Sequence, residues 1–209
     1  METRERLLSA YRDHLLEHGG PPASVFKFTR DLGLEERAFF AEFPNFDALE
    51  SEMWRGLVAR VAGAVVAGPE WAGFTSRQRL LTFLFAFCEE SLAWRSLLLQ
   101  RVERCGPIPR PARLRGLELG FKEFIGPVIE HGHATGEIAE RGMLREASPE
   151  AFFLHFRAVV DFHLKDASSG YERTDAFIEK SVALAFDLLR TQAFDSALDF
   201  AKFVFARPA

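Results

Sequence analysis

Cysteine is scarce in this chain: Cys88 and Cys105 are the two thiols among 209 residues. Two thiols give no disulfide framework and suit a reducing cytosol. Tyrosine (two) and tryptophan (three) are nearly as rare, so few buried aromatics carry a polar handle. Long hydrophobic runs are missing. The most apolar stretch, Leu80–Cys88, is far too short to span a bilayer. The opening METRERLLSAYRDHLLEHGG has no apolar core of a secretion signal. A soluble, cytoplasmic protein with no membrane span is expected. An excess of positive charge is also missing. The net charge is −4, and residues 1–60 hold eight Lys/Arg against eleven Asp/Glu, a net of −3. Enzyme signatures are absent too: no Gly-x-Ser-x-Gly elbow, no glycine-rich phosphate loop, no His-Glu-x-x-His pair. No catalytic residue and no cofactor are expected. His131-x-His133 lacks the three- or four-residue spacing of helical metal ligands, so no metal site is expected either.

What is abundant is phenylalanine, 22 residues of it, within a chain that is 48% apolar. Phenylalanine brings area without hydrogen-bonding groups, which favours dry packing over polar networks in the interior. The apolar fraction is ample for a folded core.

Helical periodicity dominates, and no sustained alternation or Asn-Gly turn signals a hairpin. Thr3 is placed to cap a first helix whose Leu7, Leu8, Tyr11 and Leu15 share a stripe. Gly19-Gly20-Pro21-Pro22 stops it. Ser24 caps a short second helix, Val25–Leu32, and Gly33 suits a left-handed turn. A third short helix covers Glu35–Phe43. Asn45 caps a longer fourth one to about Ala67, with Asp47 in its first turn. Thr75 and Gln78 form a capping-box pair opening a long helix through Leu80, Leu84, Phe87, Leu92 and Leu98. Cys105–Pro111, with three prolines, cannot be helical. Helical pattern resumes to His131, and Gly132–Gly142 reads as a loop. Ser148-Pro149-Glu150 looks like a helix start, with the helix running to Lys165. Ser168-Ser169-Gly170 breaks it, Thr174 caps another to about Gln192, and Asp195 starts a last one to Ala206. The fold class is therefore all-α, with a three-helix head and a larger helical body.

Two late helices carry more than one apolar stripe. Phe152, Phe156, Val159 and Phe162 lie on one side of the first, beside Phe153, Val160 and Leu164. Ile178, Val182, Ala185 and Leu189 lie on one side of the second, with Phe177, Leu184 and Leu188 on another. A helix apolar over most of its circumference must be buried all round. A second copy of the chain does this economically, as a four-helix bundle about a two-fold axis. Phe153, Val160, Leu164, Ile178, Val182 and Leu189 are the interface residues this predicts for a homodimer. The alternative is that both helices sit at the centre of one subunit.

Three short helices with a glycine turn between the second and third describe a helix-turn-helix. Arg6–Tyr11, Ser24–Leu34 and above all Phe39-Phe40-Ala41-Glu42-Phe43-Pro44-Asn45-Phe46-Asp47-Ala48-Leu49 resemble the tetracycline-repressor family of transcriptional regulators. The last stretch is similar to that family's Leu-Tyr-x-His-Phe-x-x-Lys-x-x-Leu pattern; HGHATGEI (His131–Ile138) and the final helices also look like its C-terminal region. The resemblance implies a DNA-binding head at residues 1–50 and a ligand-binding and dimerisation body at 51–209. It also implies a homodimer that binds double-stranded DNA and is released by an effector. The motif is degenerate, however. Phe40 stands at the usual phosphate-reaching Tyr, Glu42 at the usual His and Phe46 at the usual Lys. Each lost phosphate contact weakens binding to the DNA backbone, and an added carboxylate repels it.

The donors left to face a duplex are Ser24, Lys27, Thr29, Arg30 and Arg37. Arg37 is the candidate for a base edge, since arginine can be bidentate to guanine. In the body, Phe83, Phe87, Phe121, Phe124, Phe152 and Phe156 are the candidate walls of a pocket for an apolar small-molecule effector or a lipid; a filled core of packed rings is the other reading. Two functions stay open: a ligand-responsive transcriptional regulator, and a lipid- or partner-binding protein of the same fold that has lost DNA binding.

Overall fold

The structure, a computed structural model, describes residues 2–103, 111–139 and 142–190, with only the backbone described for residues 103 and 142–147. Cys105 and the expected last helix, Asp195–Ala206, lie outside the described residues. Within them the chain is all-α and no strand occurs. The head holds α1 (Glu2–His18), α2 (Val25–Asp31) and α3 (Glu36–Glu42). Its core is aromatic. Tyr11 stacks on Phe46 at 5.5 Å, and Phe28, Phe39 and Phe46 meet edge to face. Phe46 is thus a packing residue at the position where the resembled pattern carries a solvated lysine. Gly33 takes a positive φ of 67° between α2 and α3, the left-handed turn that glycine adopts without strain.

From the head, α4 (Phe46–Val66) runs on into the body, so a division at residue 50 falls inside one helix. Asn45 caps it, its side chain accepting from the Ala48 N–H at 2.8 Å. The predicted Thr75–Gln78 capping box opens α5 (Ser76–Ser91). The long helix expected beyond Leu92 is instead broken there by a 3-10 turn (Leu92–Trp94), followed by the short α6 (Arg95–Leu98) and a π-type turn (Leu99–Glu103). Next comes α7 (Arg115–Thr135), which passes through Pro127 and Gly132 and ends on Gly136 in the left-handed region. The loop expected from Gly132 therefore begins four residues later. A carboxylate fixes it: Glu137 accepts from the backbone N–H groups of Ser76 and Arg77 at the start of α5. Burial works to raise the Glu137 pKa, but these bonds prevail and hold it below the usual carboxylate range.

Two starts differ from the sequence reading. Helix α8 (Gly142–Lys165) is already under way at Ser148-Pro149, where a start was expected. Helix α9 (Glu172–Arg190) begins before Thr174. The turn between them is organised by Asp166, whose carboxylate accepts from the N–H of Ser168 and from both the N–H and hydroxyl of Thr174. Thr3 likewise lies inside α1 rather than capping it.

The tightest crossing is that of α4 and α7. A Cβ on Gly116 would lie 1.6 Å from the Ser51 carbonyl oxygen, and one on Gly120 would lie 3.0 Å from the Val58 side chain. The two backbones touch at Gly116 because it lacks a side chain, and Gly120 leaves room for the Val58 side chain. No helix among the described residues is long and apolar enough to cross a membrane.

Candidate DNA-facing head and its link to the body

The face that α2 and α3 turn to solvent contains only part of the expected donor set. Lys27, Arg30 and Arg37 are exposed. Arg37 extends fully and pairs with Glu35 at 2.8 Å, while Arg30 lies near Asp31 and over the Phe26 ring. Ser24 is exposed and serves as the cap of α2, accepting from the Lys27 N–H at 3.1 Å. Thr29 does not reach the surface. It is fully buried, and its hydroxyl donates to the Val25 carbonyl one turn back at 3.0 Å. Helical phase places Thr29 beside Phe28 on the inner side of this short helix, so it drops out as a DNA contact. Two aromatic side chains of the head are also exposed: Phe40, at the usual Tyr, is 54% exposed, and Phe26, which the sequence reading missed, 57%.

Glu42, the carboxylate that would repel a phosphate backbone, is turned aside. Arg4 reaches it at 3.4 Å and Glu52 at 3.1 Å, with its guanidinium over the Phe43 ring. Arg6 donates to the Leu32 carbonyl at the end of α2. Both arginines therefore tie the head together internally.

The head is joined to the body by a buried polar hub. Glu50 on α4 is fully buried and accepts from the Tyr11 hydroxyl (3.0 Å) and the Trp54 indole N–H (3.3 Å). Arg101, from the π-type turn, donates to the same carboxylate through Nε at 3.0 Å and Nη2 at 2.7 Å, and the Arg113 guanidinium approaches within 3.8 Å. One carboxylate thus binds α1, α4 and the segments on both sides of residues 104–110. Burial raises the Tyr11 pKa strongly, and the adjacent Glu50 charge raises it further, so Tyr11 stays a neutral donor.

In the body, five of the six candidate pocket rings pack on each other. Phe83 stacks on Phe124 at 4.1 Å and Phe121 on Phe156 at 4.6 Å, while Phe87 meets Phe156 edge-on at 4.8 Å. Phe152 turns instead towards Phe186 on α9. All six are buried. Clefts on the described surface lie between α1 and α2, beside Trp94, and along α8 and α9, and none of the six rings lines these. The six rings belong to the body's packed core.

The six predicted interface residues are also inside the subunit. Phe153, Val160, Leu164, Ile178, Val182 and Leu189 are at most 8% exposed in the single chain. The side stripe chosen from the pattern is the one that packs on α5 and α7. Helices α8 and α9 leave Leu154 and Leu184 exposed and Phe162 and Phe177 half-buried, with the Phe162 and Phe177 rings parallel at 4.5 Å. His155 and Ser181 bridge the two helices beneath them at 2.8 Å. The two histidines of the His-x-His motif serve different structural partners: His131 meets the Ser76 hydroxyl and His133 the Ile138 carbonyl.

Comparison with known proteins decides the family. Residues 79–204 match the family model of the tetracyclin repressor-like C-terminal domain, which is more than half of the chain. The chain belongs to the tetracycline repressor-like family. The fold is also that of a solved chain from Shewanella sp. PV-4 assigned to the tetR family of transcription regulators. That likeness has a TM-score of 0.58 at 19% identity, covering 88% of this chain and 95% of the other. No curated protein sequence matches. The family match lies in the body, and the structural likeness, covering 88% of the chain, extends into the head.

Proposed function

We propose that this tetracycline repressor-like protein is a ligand-responsive transcriptional regulator of the cytoplasm that binds double-stranded DNA as a homodimer. The observation that carries this reading is the Glu50 hub. One buried carboxylate wires Tyr11 of α1 to Arg101 and Arg113 of the body, a firm connection between head and body. A regulator needs such a connection, because effector binding must alter the head to alter DNA affinity.

Dimerisation would use the outward face of α8 and α9, with Leu154, Phe162, Phe177 and Leu184 meeting their equivalents in a four-helix bundle. The paired heads would then present two α3 helices to successive major grooves. Of the backbone donors, Lys27, Arg30 and Ser24 remain, and Arg37 is the base reader. The effector would be a small apolar molecule that displaces rings of the body core. The chain acts by binding and needs no catalytic group.

The second reading, a lipid- or partner-binding protein without DNA affinity, is favoured by the net charge of −3 over residues 1–60 and by the loss of phosphate-seeking side chains at Phe40, Glu42 and Phe46. The two part at one measurement. At low salt the purified dimer should shift duplex DNA from its own upstream region, and Arg37→Ala should weaken that shift about 10- to 100-fold, the value of one bidentate arginine–guanine contact. A well-folded dimer that shifts no duplex at low salt refutes the regulator reading.

A further inference from the structure

We propose that Phe40 is a specificity residue of the head that contacts the methyl group of thymine, beside a guanine held by Arg37. The inference rests on the DNA-binding reading above and adds what the head recognises.

On α3, Phe39 faces the core and Phe43 follows it there, which leaves Glu36, Arg37, Phe40 and Ala41 outward. Arg37 and Phe40 are three residues apart and so share one side of the helix. Their separation along its axis is about 4.5 Å, close to one base step of about 3.4 Å. The two side chains therefore address the same or neighbouring base pairs.

The chemistry of Phe40 narrows its target. It has no donor or acceptor, so neither a phosphate oxygen nor the polar edge of a guanine or cytosine rewards its approach. In the major groove the C5 methyl of thymine is the apolar feature, and it is the one contact there that a hydrocarbon side chain can make. Phe40 is placed to make it. More than half of its surface is open, yet its ring leans edge-on against Phe39 at 5.5 Å. A braced ring loses little conformational freedom on binding. Ala41 beside it adds a second small apolar surface. The backbone attraction available to α3 is weak, because Arg37 is accompanied by Glu35 and Glu36. Removal of Glu42 to Arg4 takes one repulsive charge away without adding an attractive one. Recognition by α3 consequently depends on short-range contacts, and the predicted half-site pairs a G·C with an adjacent A·T.

The test uses the full chain and a randomised duplex pool. Duplexes enriched by the wild-type protein are resynthesised with deoxyuridine in place of thymidine, which deletes the methyl groups and leaves the polar edges unchanged. Losing one methyl contact should weaken binding roughly fourfold per half-site, or about fifteenfold for a two-site duplex. Phe40→Ala should bind the thymidine duplex more weakly and no longer distinguish the two, whereas Phe40→Leu should retain part of the preference. Arg37→Ala should lose affinity but keep the full uridine penalty. Phe40 is outside the core, and circular dichroism of each variant checks that the fold is kept. Enriched duplexes that bind equally with either base, or a Phe40→Ala variant that keeps the wild-type penalty, overturn the role of Phe40 and leave DNA binding standing. Enrichment of no duplex at all overturns both.

Discussion

Glu50→Ala should destabilise the whole chain far more than any surface charge deletion, and the structure sets the size of the effect. The substitution leaves the Tyr11 hydroxyl and the Trp54 indole N–H, both in fully or almost fully buried residues, without the acceptor they use at 3.0 and 3.3 Å. An orphaned buried donor costs about 1–3 kcal/mol. It also takes the carboxylate away from Arg101, whose side chain is 14% exposed. Breaking a fully buried ion pair costs about 3–5 kcal/mol, and partial access to water brings this one below that limit. Because the contacts share one carboxylate the losses do not add, and a total of about 3–5 kcal/mol is expected. For a chain of this size that is a fall in Tm of about 6–20 °C. Glu50→Gln keeps the volume and one acceptor and should lose about half as much. Glu35→Ala, which removes the exposed partner of Arg37, is the control and should change stability by less than about 1 kcal/mol. Calorimetry gives the totals, and amide exchange locates them: protection should fall first in α1 and the Leu99–Glu103 turn. A Glu50→Ala protein that melts with the Glu35→Ala control would show that the hub is not what couples head to body.

Two substitutions in α7 should act in opposite directions. Gly116→Ala drives a methyl into the Ser51 carbonyl and should cost upwards of about 1–3 kcal/mol. Gly126→Ala meets nothing within 4 Å and should gain about 0.5–1 kcal/mol from helix propensity; equal effects in urea unfolding would contradict the crossing described. Leu184, 60% exposed on α9, should become a dimer-breaking site when changed to Glu. Sedimentation should then show a folded monomer, and an unchanged oligomer mass would move the interface elsewhere. Stability should also fall in mild acid. Burial lowers the pKa of His163, with Arg95 adding to the effect, and burial alone lowers that of His155. The unfolded chain therefore binds protons first, and stability is lost as pH falls below about 6.5, with a limiting slope near 1.4 kcal/mol per pH unit for each such histidine. His163→Leu should flatten that part of the profile, while Glu137 and Asp166, both held below the ordinary carboxylate range, extend the loss at lower pH.

Local chemistry was legible in the sequence wherever one residue performs a task within a turn of itself. Ser24, Asn45, Thr75 with Gln78, and Gly33 were each found at the end they were read to occupy. Starts that depend on distant partners were not legible. Thr174 looks like a cap, but Asp166 across the turn supplies the acceptor. The family was readable from the Phe39–Leu49 stretch, because framework positions keep their packing roles even where the phosphate-seeking ones are replaced. Which of two adjacent apolar stripes faces the core was not readable on α8 and α9. Phe153 and Phe162 are equally apolar in sequence, and only their neighbours in the fold bury one and leave the other half-buried. The Glu50 hub escaped notice for a related reason. A lone Glu in an amphipathic helix looks solvated, and two of its partners, Tyr11 and Arg101, lie 39 and 51 residues away.

The glycine seam between α4 and α7 bears on how a signal would travel. Side chains ordinarily act as cushions between helices, because a rotamer can flip and swallow a small sliding motion. At Gly116 there is no cushion and the two main chains ride directly on each other, while Gly120 rests on the stiff, β-branched Val58 side chain. Any shift of α7 caused by events among the body's rings must be handed to α4 at nearly full amplitude, and the head stands at the other end of that rod.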